Sequence, residues 1–401
     1  MSGKASVLLP GATIGILGGG QLGRMTAMAA RGMGYRVQVM DPDPSCPARF
    51  VVDACFEGGW DDARAAADLA RGSDVVTLEI EQVSLASLEA AAKYAPVRPG
   101  ADALRIIQDR ILQKNWLRDR GFPLGEYRAV ETEADLVRAV TEIGPRLFVK
   151  SARGGYDGRS QVKLGFADAT TPANVTSEHA WKLLGEQPCV AEKAVDLEKE
   201  ISVMVARAPS GETKSFASAL NQHENQILAW SVLPSSIDAA LEAEAQRIAC
   251  GIADAMQLEG LLAVEMFVTR NIRTRDSKLL VNELAPRPHN SYHSSERACV
   301  TSQFEQAVRA VCNLPLGDVS IVQPAAIANL LGDLWLDDEG QPREPRFDKA
   351  LAIPGVRLHL YEKHNPRRGR KMGHLSAVGT TPDEAVKRVL VAKEMLVLAA
   401  R

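Results

Sequence analysis

The stretch L-L-A-V-E-M-F-V at residues 261–268, followed after a polar turn by L-L-V-N-E-L at 279–284, decides the fold of this chain. Two apolar runs joined by a short polar turn predict an antiparallel hairpin. Pairing of the two strands would bring Glu265 and Glu283 near one point, with Asn282 beside them. Because Mg²⁺ prefers hard oxygen ligands and takes only one or two carboxylates, the pair is a candidate magnesium site. The alternative is that both glutamates face solvent at strand edges.

Directly after this hairpin comes the segment A-P-R-P-H-N-S-Y-H at 285–293. Arg287 offers a planar guanidinium that matches a carboxylate or carbonate, and His289 and Asn290 add polar groups at the same place. The cluster predicts a pocket for a small carboxyl-like anion. A lone histidine is more often structural, and we interpret His293 that way. We interpret His359 and Tyr361 as core or edge residues.

A second hairpin is predicted upstream, where L-F-V-K at 147–150 and Q-V-K-L at 161–164 flank S-A-R-G-G-Y-D-G-R-S at 151–160. Lys150 at the end of a strand projects a positive charge, and a glycine-rich tip can close over a polyphosphate while its N–H groups donate to the oxygens. This pattern predicts a nucleotide lid. An exposed loop with a solvated lysine is the alternative.

The N-terminal part begins with T-I-G-I-L at 13–17, then G-G-G-Q-L-G-R-M at 18–25, then a helical stretch and the apolar V-Q-V-M before Asp41. Strand, glycine turn, helix and strand predict an open parallel α/β sheet, which with the strand at 74–80 ends near residue 105. The glycines at 18, 20 and 23 and Asp41 formally satisfy the dinucleotide fingerprint. A structural or substrate-binding loop explains the same glycines, because they expose N–H groups at a helix N-terminus.

Further elements are predicted along the rest of the chain. They are helices at 109–120 and 239–256, a helix that begins after Thr132, a closing helix from Pro382, and strands near Tyr127 and at 189–192, 201–206 and 215–220. Together they give the fold class α/β and α+β. A basic cluster at 367–371 can neutralise a phosphate monoester or be a solvated charge run, and the sequence favours neither.

Composition limits the function classes. The chain has 401 residues, a formal net charge of -3, 46% hydrophobic and 24% charged residues, which predicts two or three globular domains without a nucleic-acid-coating surface. The six cysteines are scattered without metal-site spacing and predict reduced thiols. No apolar run reaches the roughly 18 residues that span a bilayer. The expected location is therefore the cytoplasm.

Taken together, these motifs resemble the 5-(carboxyamino)imidazole ribonucleotide synthetase family of the ATP-grasp superfamily, which acts in purine biosynthesis. The resemblance covers nearly the whole chain. It rests on 18–25, E-I-E at 79–81, R-P-G at 98–100, Q-D-R at 108–110, V-K at 149–150, G-G-Y-D-G-R at 154–159, N-E-L-A-P-R-P-H-N-S at 282–291 and G-R-K-M-G-H at 369–374. One departure is Leu220, where the family often has an acid, and it leaves the nearby pocket in doubt.

The resemblance implies an ATP-grasp fold with three domains and a homodimer. The domains would be an N-terminal open parallel α/β (pre-ATP-grasp) domain at 1–108, an ATP-grasp domain at 109–316 with a lid at roughly 130–200, and a small C-terminal domain at 317–401. Cofactors would be ATP and Mg²⁺, and the partners small molecules, with neither nucleic acid nor membrane. The reaction would carboxylate aminoimidazole ribonucleotide with ATP and bicarbonate through carboxyphosphate.

The resemblance also implies roles for individual residues. Those around ATP would be Arg110, Lys150, the lid residues Gly155, Tyr156, Asp157, Gly158, Arg159, Ser160 and Gln161, the adenine-edge segment Glu192, Lys193, Ala194 and Val195, and Glu200, His223, Asn282 and Glu283. Glu265 and Glu283 would ligate Mg²⁺. Those that act on bicarbonate and carboxyphosphate would be Arg287, His289 and Asn290, with Lys371 also catalytic. Those around the ribonucleotide would be Gln21, Glu81, Tyr156, Asp157, Arg367 and Lys371, the last two on its phosphate.

Three other functions are compatible with parts of the sequence. A formate-dependent glycinamide ribonucleotide transformylase would share the ATP site and use another acceptor. A dehydrogenase would use the glycine turn at 18–23 for a nicotinamide cofactor. A nucleotide-binding scaffold would lack turnover, although the paired glutamates and Lys150 argue against it.

Overall fold

The structure is a computed structural model that describes residues 6–154, 160–166, 175–270, 277–337 and 339–397. Its N-terminal part is a four-stranded parallel sheet of order β3-β2-β1-β4. The strands are β1 (Thr13–Leu17), β2 (Arg36–Asp41), β3 (Ala54–Glu57) and β4 (Val75–Leu78), and the helices are α1 (Gln21–Gly32), α2 (Ala63–Arg71), α3 (Leu85–Ala91) and α4 (Ala101–Ile107). The predicted open parallel sheet is confirmed.

Two elements of this sheet escaped prediction. β3 has only four residues, all partly accessible, so its sequence shows no buried run. α2 is built largely of alanine, and its start is fixed by Asp62, whose side chain accepts hydrogen bonds from the backbone N–H groups of Arg64 and Ala65. Such a helix forms from the high helix propensity of alanine and from its cap, and Leu69 is its only large apolar residue.

The next part is a four-stranded antiparallel sheet of order β5-β8-β6-β7 that carries the lysine-bearing strand. The strands are β5 (Tyr127–Val130), β6 (Leu147–Ser151), β7 (Gln161–Leu164) and β8 (Cys189–Lys193), and the helices are α5 (Arg110–Asp119), α6 (Glu133–Ile143) and α7 (Ser177–Leu183). α6 begins with the predicted cap, a reciprocal pair in which Thr132 and Asp135 bond each other's backbone N–H groups. The predicted hairpin of β6 and β7 is confirmed.

The largest sheet has nine strands in the order β14-β13-β9-β11-β12-β15-β17-β16, with β10 paired to β9, and it is antiparallel throughout. The strands are β9 (Leu197–Arg207), β10 (Thr213–Ser215), β11 (Ala219–Glu224), β12 (Ile227–Leu233), β13 (Gly260–Arg270), β14 (Ser277–Ala285), β15 (Ala325–Leu331), β16 (Val356–Leu360) and β17 (Lys371–Val378). The helices are α8 (Ala239–Ala255), α9 (Ser295–Ala298), α10 (Gln303–Val311), α11 (Phe347–Leu351) and α12 (Pro382–Met395).

This sheet runs without interruption from β12 to β15, across the domain boundary predicted between residues 316 and 317. The single strand predicted at 215–220 is wrong, because β10 ends at Ser215 and β11 begins at Ala219, with Phe216 fully buried between them. β12 was not predicted.

Among the described residues, none of the helices combines the length and the apolar character needed to cross a membrane.

Candidate active site

The hairpin of β13 and β14 places the two predicted metal ligands opposite each other. Glu265 pairs directly with Glu283 across the antiparallel ladder, and a register shift follows between Glu265 and Met266. Both glutamates and Asn282 line a cavity of about 790 Å³ bounded by all three sheets. Because Val264 and Met266 are buried on the other face of the strand, alternation turns Glu265 into the cavity. The predicted pairing is confirmed.

The charges around Glu265 are poorly compensated. Burial raises its pKa to about 7, and the neighbouring carboxylates of Glu283 and Glu200 add to the rise, while His223 opposes it. His289 Nε2 lies 3.3 Å from Glu265 Oε1, and Arg110 Nη1 lies 3.1 Å from Glu283 Oε1. Paired oxygen donors fit a divalent hard cation, which would favour the charged form of Glu265.

Lys150 approaches this hairpin from the end of β6. Its Nζ lies 3.1 Å from Glu192 Oε2 and 3.2 Å from Asn282 Oδ1. Lys150 therefore joins the four-stranded antiparallel sheet to the large sheet. The other oxygen of Glu192 lies 3.2 Å from Lys114 Nζ. Burial opposes ionisation of Glu192, but Lys150 and Lys114 outweigh it and lower its pKa to about 2. The carboxylate of Glu192 therefore holds the ammonium groups of Lys150 and Lys114 beside the cavity.

The predicted anion cluster is present next to the paired glutamates. Arg287 grips Glu81 with two nitrogens, Nη2 lying 2.9 Å from Oε1 and Nε bonding Oε2. Burial would raise the pKa of Glu81, but Arg287 overcomes it and the pKa falls below its ordinary value. His289 Nδ1 lies 2.8 Å from Ser291 Oγ, and burial, with the charges of Arg287 and Lys371, lowers the pKa of His289 well below its usual range. His289 is therefore neutral at pH 7.

The opposite wall of the cavity comes from the first sheet and the C-terminal part. Gln21 Oε1 accepts a hydrogen bond of 2.7 Å from Lys363 Nζ. Arg24 forms an ion pair with Glu362, with Nη2 and Oε1 2.9 Å apart. These contacts fasten the start of α1 to the segment before β17. The predicted phosphate ligands Arg367 and Lys371 stand on the same wall.

His223 and Glu200, both predicted around the nucleotide, lie on neighbouring strands. His223 Nδ1 is 2.5 Å from Glu200 Oε2. Burial lowers the pKa of His223, but the contact with Glu200 and the charge of Glu265 raise it above its ordinary value. Leu220, the departure noted above, lies outside the lining of this cavity and packs against apolar residues.

Most of the predicted site residues that the structure describes line one cavity. One cavity is lined by Gln21, Glu81, Arg110, Lys150, Ser160, Gln161, Glu192, Lys193, Val195, Glu200, His223, Glu265, Asn282, Glu283, Arg287, His289, Asn290, Arg367 and Lys371. Ala194 does not line it, and its backbone N–H donates to the carbonyl of Arg146 instead. Gly155, Tyr156, Asp157, Gly158 and Arg159 lie outside the described residues. The individual roles stay predictions.

The glycine turn at 18–23 does not offer the donors that a dinucleotide needs. The backbone N–H groups of Gly20 and Gly23 each donate to the carboxylate of Glu79, at 2.6 Å and 2.6 Å, and Gly19 N–H donates to Asp41 Oδ2 at 2.7 Å. A Cβ at Gly18 would overlap the Glu79 side chain, which explains the glycine there. The turn is thus closed by the protein's own acids, and the dehydrogenase interpretation loses its binding site.

Sequence reasoning missed two residues of this region. Lys114 stands one helical turn after Arg110 on α5, and that spacing of four was the available signal. Glu79 is the first acid of E-I-E at the end of β4, but its use as an acceptor for a loop 56 to 59 residues earlier depends on strand order. No local pattern marks it.

His293, which we interpreted as structural, is buried and does not line the cavity described above. His293 is 1% exposed and stacks between Phe304 and His374, with ring centroids 5.7 and 4.7 Å away. Tyr361 is also buried and lies 2.8 Å from His374 Nδ1 through its hydroxyl. Burial lowers the pKa of His293 to about 3.

Three protein families match consecutive parts of the chain. They are the ribonucleotide synthetase preATP-grasp domain over residues 11–108, the ATP-grasp domain over 115–304 and the phosphoribosylaminoimidazole carboxylase C-terminal domain over 325–388.

Individual proteins match over nearly the full length. The N5-carboxyaminoimidazole ribonucleotide synthase of Bacillus subtilis is 38% identical over 383 residues, which are 96% of each chain. The solved N5-carboxyaminoimidazole synthetase of Staphylococcus aureus complexed with ADP has a TM-score of 0.85 at 33% identity and covers 96% of this chain and 98% of its own. An Aspergillus clavatus synthase in complex with ADP and 5-aminoimidazole ribonucleotide has a TM-score of 0.84 at 29% identity, covering 97% and 99%.

Proposed function

The chain belongs to the N5-carboxyaminoimidazole ribonucleotide synthase family, and from that membership we propose how its residues carry out the reaction. It is an ATP-grasp ligase, and its reaction is the ATP-dependent carboxylation of 5-aminoimidazole ribonucleotide in purine biosynthesis. The observation that carries the assignment of residues is the single cavity in which Lys150, the paired glutamates and the Arg287 cluster meet.

ATP would lie between the four-stranded antiparallel sheet (β5 to β8) and the large sheet. Lys150 is the cation for its phosphates, because its side chain reaches the cavity from a rigid strand and can exchange Glu192 for a phosphate oxygen. Arg110, held 3.1 Å from Glu283, would add charge at the same end. The segment Glu192–Val195 would border the adenine, and Glu200 would accept hydrogen bonds from the ribose hydroxyls.

Glu265 and Glu283 are the proposed ligands of Mg²⁺. Their side chains face the same cavity from directly paired positions, and a cation would offset the burial and the neighbouring carboxylates that together raise the pKa of Glu265. When bound, Mg²⁺ neutralises negative charge on the triphosphate during phosphoryl transfer. The protein contributes the rigid hairpin that fixes both carboxylates.

The chemistry proceeds in two steps. Bicarbonate oxygen attacks the γ-phosphorus of ATP, the bond to the bridging oxygen breaks, and ADP leaves with carboxyphosphate formed. The exocyclic amine of the ribonucleotide then attacks the activated carbon, the bond from that carbon to the phosphate oxygen breaks, and the leaving inorganic phosphate takes up the proton that the amine loses. Arg287 already bonds Glu81 through Nε and Nη2 and the carbonyl of Pro288 through Nη1, so it would bind the carbonate oxygens with the remaining N–H groups of Nη1 and Nη2. Neutral His289 would hydrogen-bond to the same oxygens without adding charge.

The ribonucleotide would bind on the wall formed by α1 and the C-terminal part. Arg367 and Lys371 are the proposed phosphate ligands, and Gln21 and Glu81 would contact the rest of the molecule. The contacts of Arg24 with Glu362 and of Gln21 with Lys363 support this placement, because they hold the two halves of that wall together.

Cellular location and assembly follow from the same membership. We place the enzyme in the cytoplasm because its reaction consumes ATP and an intermediate of purine biosynthesis, and because all six cysteines are free. We propose a homodimer on the resemblance alone. The mass of the enzyme in solution, measured by light scattering, tests this.

ADP release tests the assignment. With ATP, Mg²⁺ and the ribonucleotide present, bicarbonate should be required and formate should not replace it. Arg287→Ala should raise the bicarbonate concentration at half-maximal rate by at least about 10-fold while changing that for ATP much less, since one charge-assisted fork is worth roughly 1.5–3 kcal/mol. Arg247→Ala, on the exposed face of α8, is the matched control. Equal loss of affinity for bicarbonate and ATP would contradict the role of Arg287.

A further inference from the structure

A second cluster of ligand-type side chains lies at the outer edge of the large sheet, separate from the cavity described above. His359 on β16 pairs directly with His374 on β17, and Glu296 on α9 approaches both. One ligand atom from each of the three residues lies within 4.8 Å of the other two. His359 Nε2 is 3.6 Å from Glu296 Oε2. None of the three lines the nucleotide cavity.

One nitrogen of each histidine in this cluster lacks a hydrogen-bond partner among the described residues. His374 is fully buried, and within the described ranges its Nε2 has no hydrogen-bond partner. The Nδ1 of His359 is likewise buried without a partner there. A buried imidazole nitrogen that makes no hydrogen bond costs free energy unless something else binds it. The orphaned atom of His374 therefore points to a ligand that the protein itself does not supply.

The other nitrogen of His374 is already oriented in the way metal-bound histidines are. Its Nδ1 lies 2.8 Å from the hydroxyl of Tyr361, which is 1% exposed. When Nδ1–H donates to the hydroxyl oxygen, this outer partner fixes the ring and leaves the Nε2 lone pair for an ion. Opposite positions on two antiparallel strands also bring two imidazoles within chelating distance.

We propose that Glu296, His359 and His374 form a binding site for a divalent transition-metal ion of the zinc class. Two imidazoles and one carboxylate suit such an ion, whereas Mg²⁺ prefers oxygen ligands alone, so this site and the glutamate pair would select different metals. The rings of His359 and His374 are stacked at 4.6 Å and 15°. Coordination requires His359 to turn out of the stack, which is feasible because its side chain is 30% exposed and β16 is the edge strand.

The ion would connect two segments that border the active site. β17 carries His374 and begins at Lys371, while α9 follows the segment that holds Arg287 and His289. A metal joining β17 to α9 would cross-link these two segments. This inference stands independently of the proposed function, because it concerns residues outside the nucleotide cavity.

Cobalt titration tests the site directly. Full-length enzyme is titrated with Co²⁺ in excess Mg²⁺, which occupies the glutamate pair, and the visible d–d absorption is recorded. We expect one Co²⁺ per chain, displaced by Zn²⁺. His359→Ala and Glu296→Gln should each weaken binding at least about 10-fold, and Tyr361→Phe should weaken it by roughly 10–100-fold through loss of the outer partner. His179→Ala, on the exposed face of α7, should change nothing.

Two results would overturn the proposal. One is the absence of a saturable cobalt spectrum in wild-type enzyme whose ADP release is intact. The other is a spectrum that survives His359→Ala and Glu296→Gln but disappears in Glu265→Gln, which would assign the ion to the active site. His359→Ala is the primary variant because its partly exposed ring makes loss of folding a small risk, and its ADP release checks that.

Discussion

The glycine turn of the first sheet and the glutamate pair of the large sheet both suggest a ligand site in the sequence, the turn for a phosphate or polar group and the pair for Mg²⁺. In the turn, Glu79 and Asp41 accept hydrogen bonds from the N–H groups of three glycines. At the hairpin, Glu265 and Glu283 face each other, and burial beside other carboxylates raises the pKa of Glu265 to about 7. Burial raises the pKa of Glu79 and Asp41 as well, so the two regions differ in their hydrogen bonds. Backbone N–H groups bond the acids of the turn, whereas the acids of the hairpin face each other and fit the proposed cation.

The difference teaches that a motif predicts a binding site only while its donors or acceptors remain available. A glycine-rich turn before a helix always presents N–H groups, but a distant carboxylate can occupy them. Paired acids on neighbouring strands are harder to satisfy internally, because each added neighbour must carry positive charge. Arg110 partly serves in that way here, whereas His289 is neutral and offers Glu265 no charge.

The largest effect is expected at the hairpin. Glu283→Ala removes a proposed metal ligand on a partly exposed side chain, so ADP release should fall by at least roughly 10³-fold with folding retained. Circular dichroism and thermal unfolding check the fold. Glu244→Ala, which deletes an exposed glutamate paired with Arg247, should leave the rate within about twofold, since exposed pairs are worth about 0–1 kcal/mol. Ligase activity near the wild-type rate in Glu283→Ala would remove this residue from the metal site.

At the glycine turn, we expect a substitution to lower the free energy of unfolding. Glu79→Ala leaves the N–H groups of Gly20 and Gly23 without their acceptor, and each orphaned buried donor costs about 1–3 kcal/mol. We therefore expect the free energy of unfolding in urea to drop by about 2–6 kcal/mol. Glu79→Gln keeps one oxygen acceptor and should lose less.

Wild-type enzyme should not quench nicotinamide fluorescence, and quenching at micromolar enzyme would show that the turn is open after all.

The smallest effect is a pH dependence at Glu265. Its folded pKa of about 7 lies above the ordinary value of 4.5, so the folded state binds the proton more tightly. The resulting stability is fully present below the lower value and is lost as pH rises through the upper one. Without metal, unfolding free energy should fall by on the order of 1–3 kcal/mol between about pH 5 and about pH 8. Glu265→Gln should remove that slope, and Mg²⁺ should reduce it in wild type. An identical slope in Glu265→Gln would assign the effect elsewhere.

Much of the fold could be predicted because its signals are local. The hairpins of β6 with β7 and of β13 with β14 follow from apolar runs and polar turns, and the helix after Thr132 follows from its cap. β3 was missed because a four-residue strand without a buried run looks like a loop. The break between β10 and β11 was missed because Phe216, which reads as part of a strand, is buried in a crossing segment.

By itself the sequence determined the chemistry that this chain carries: paired acids, a lysine at a strand end, an arginine-histidine cluster and a family. Tertiary structure alone decided which groups meet. Glu79 reaches Gly20 and Gly23 because β4 lies beside β1, and Lys114 shares Glu192 with Lys150 because α5 packs near β8. Electrostatic partners are chosen by distance in space, and the order of strands in a sheet sets that distance without leaving a mark in the local sequence.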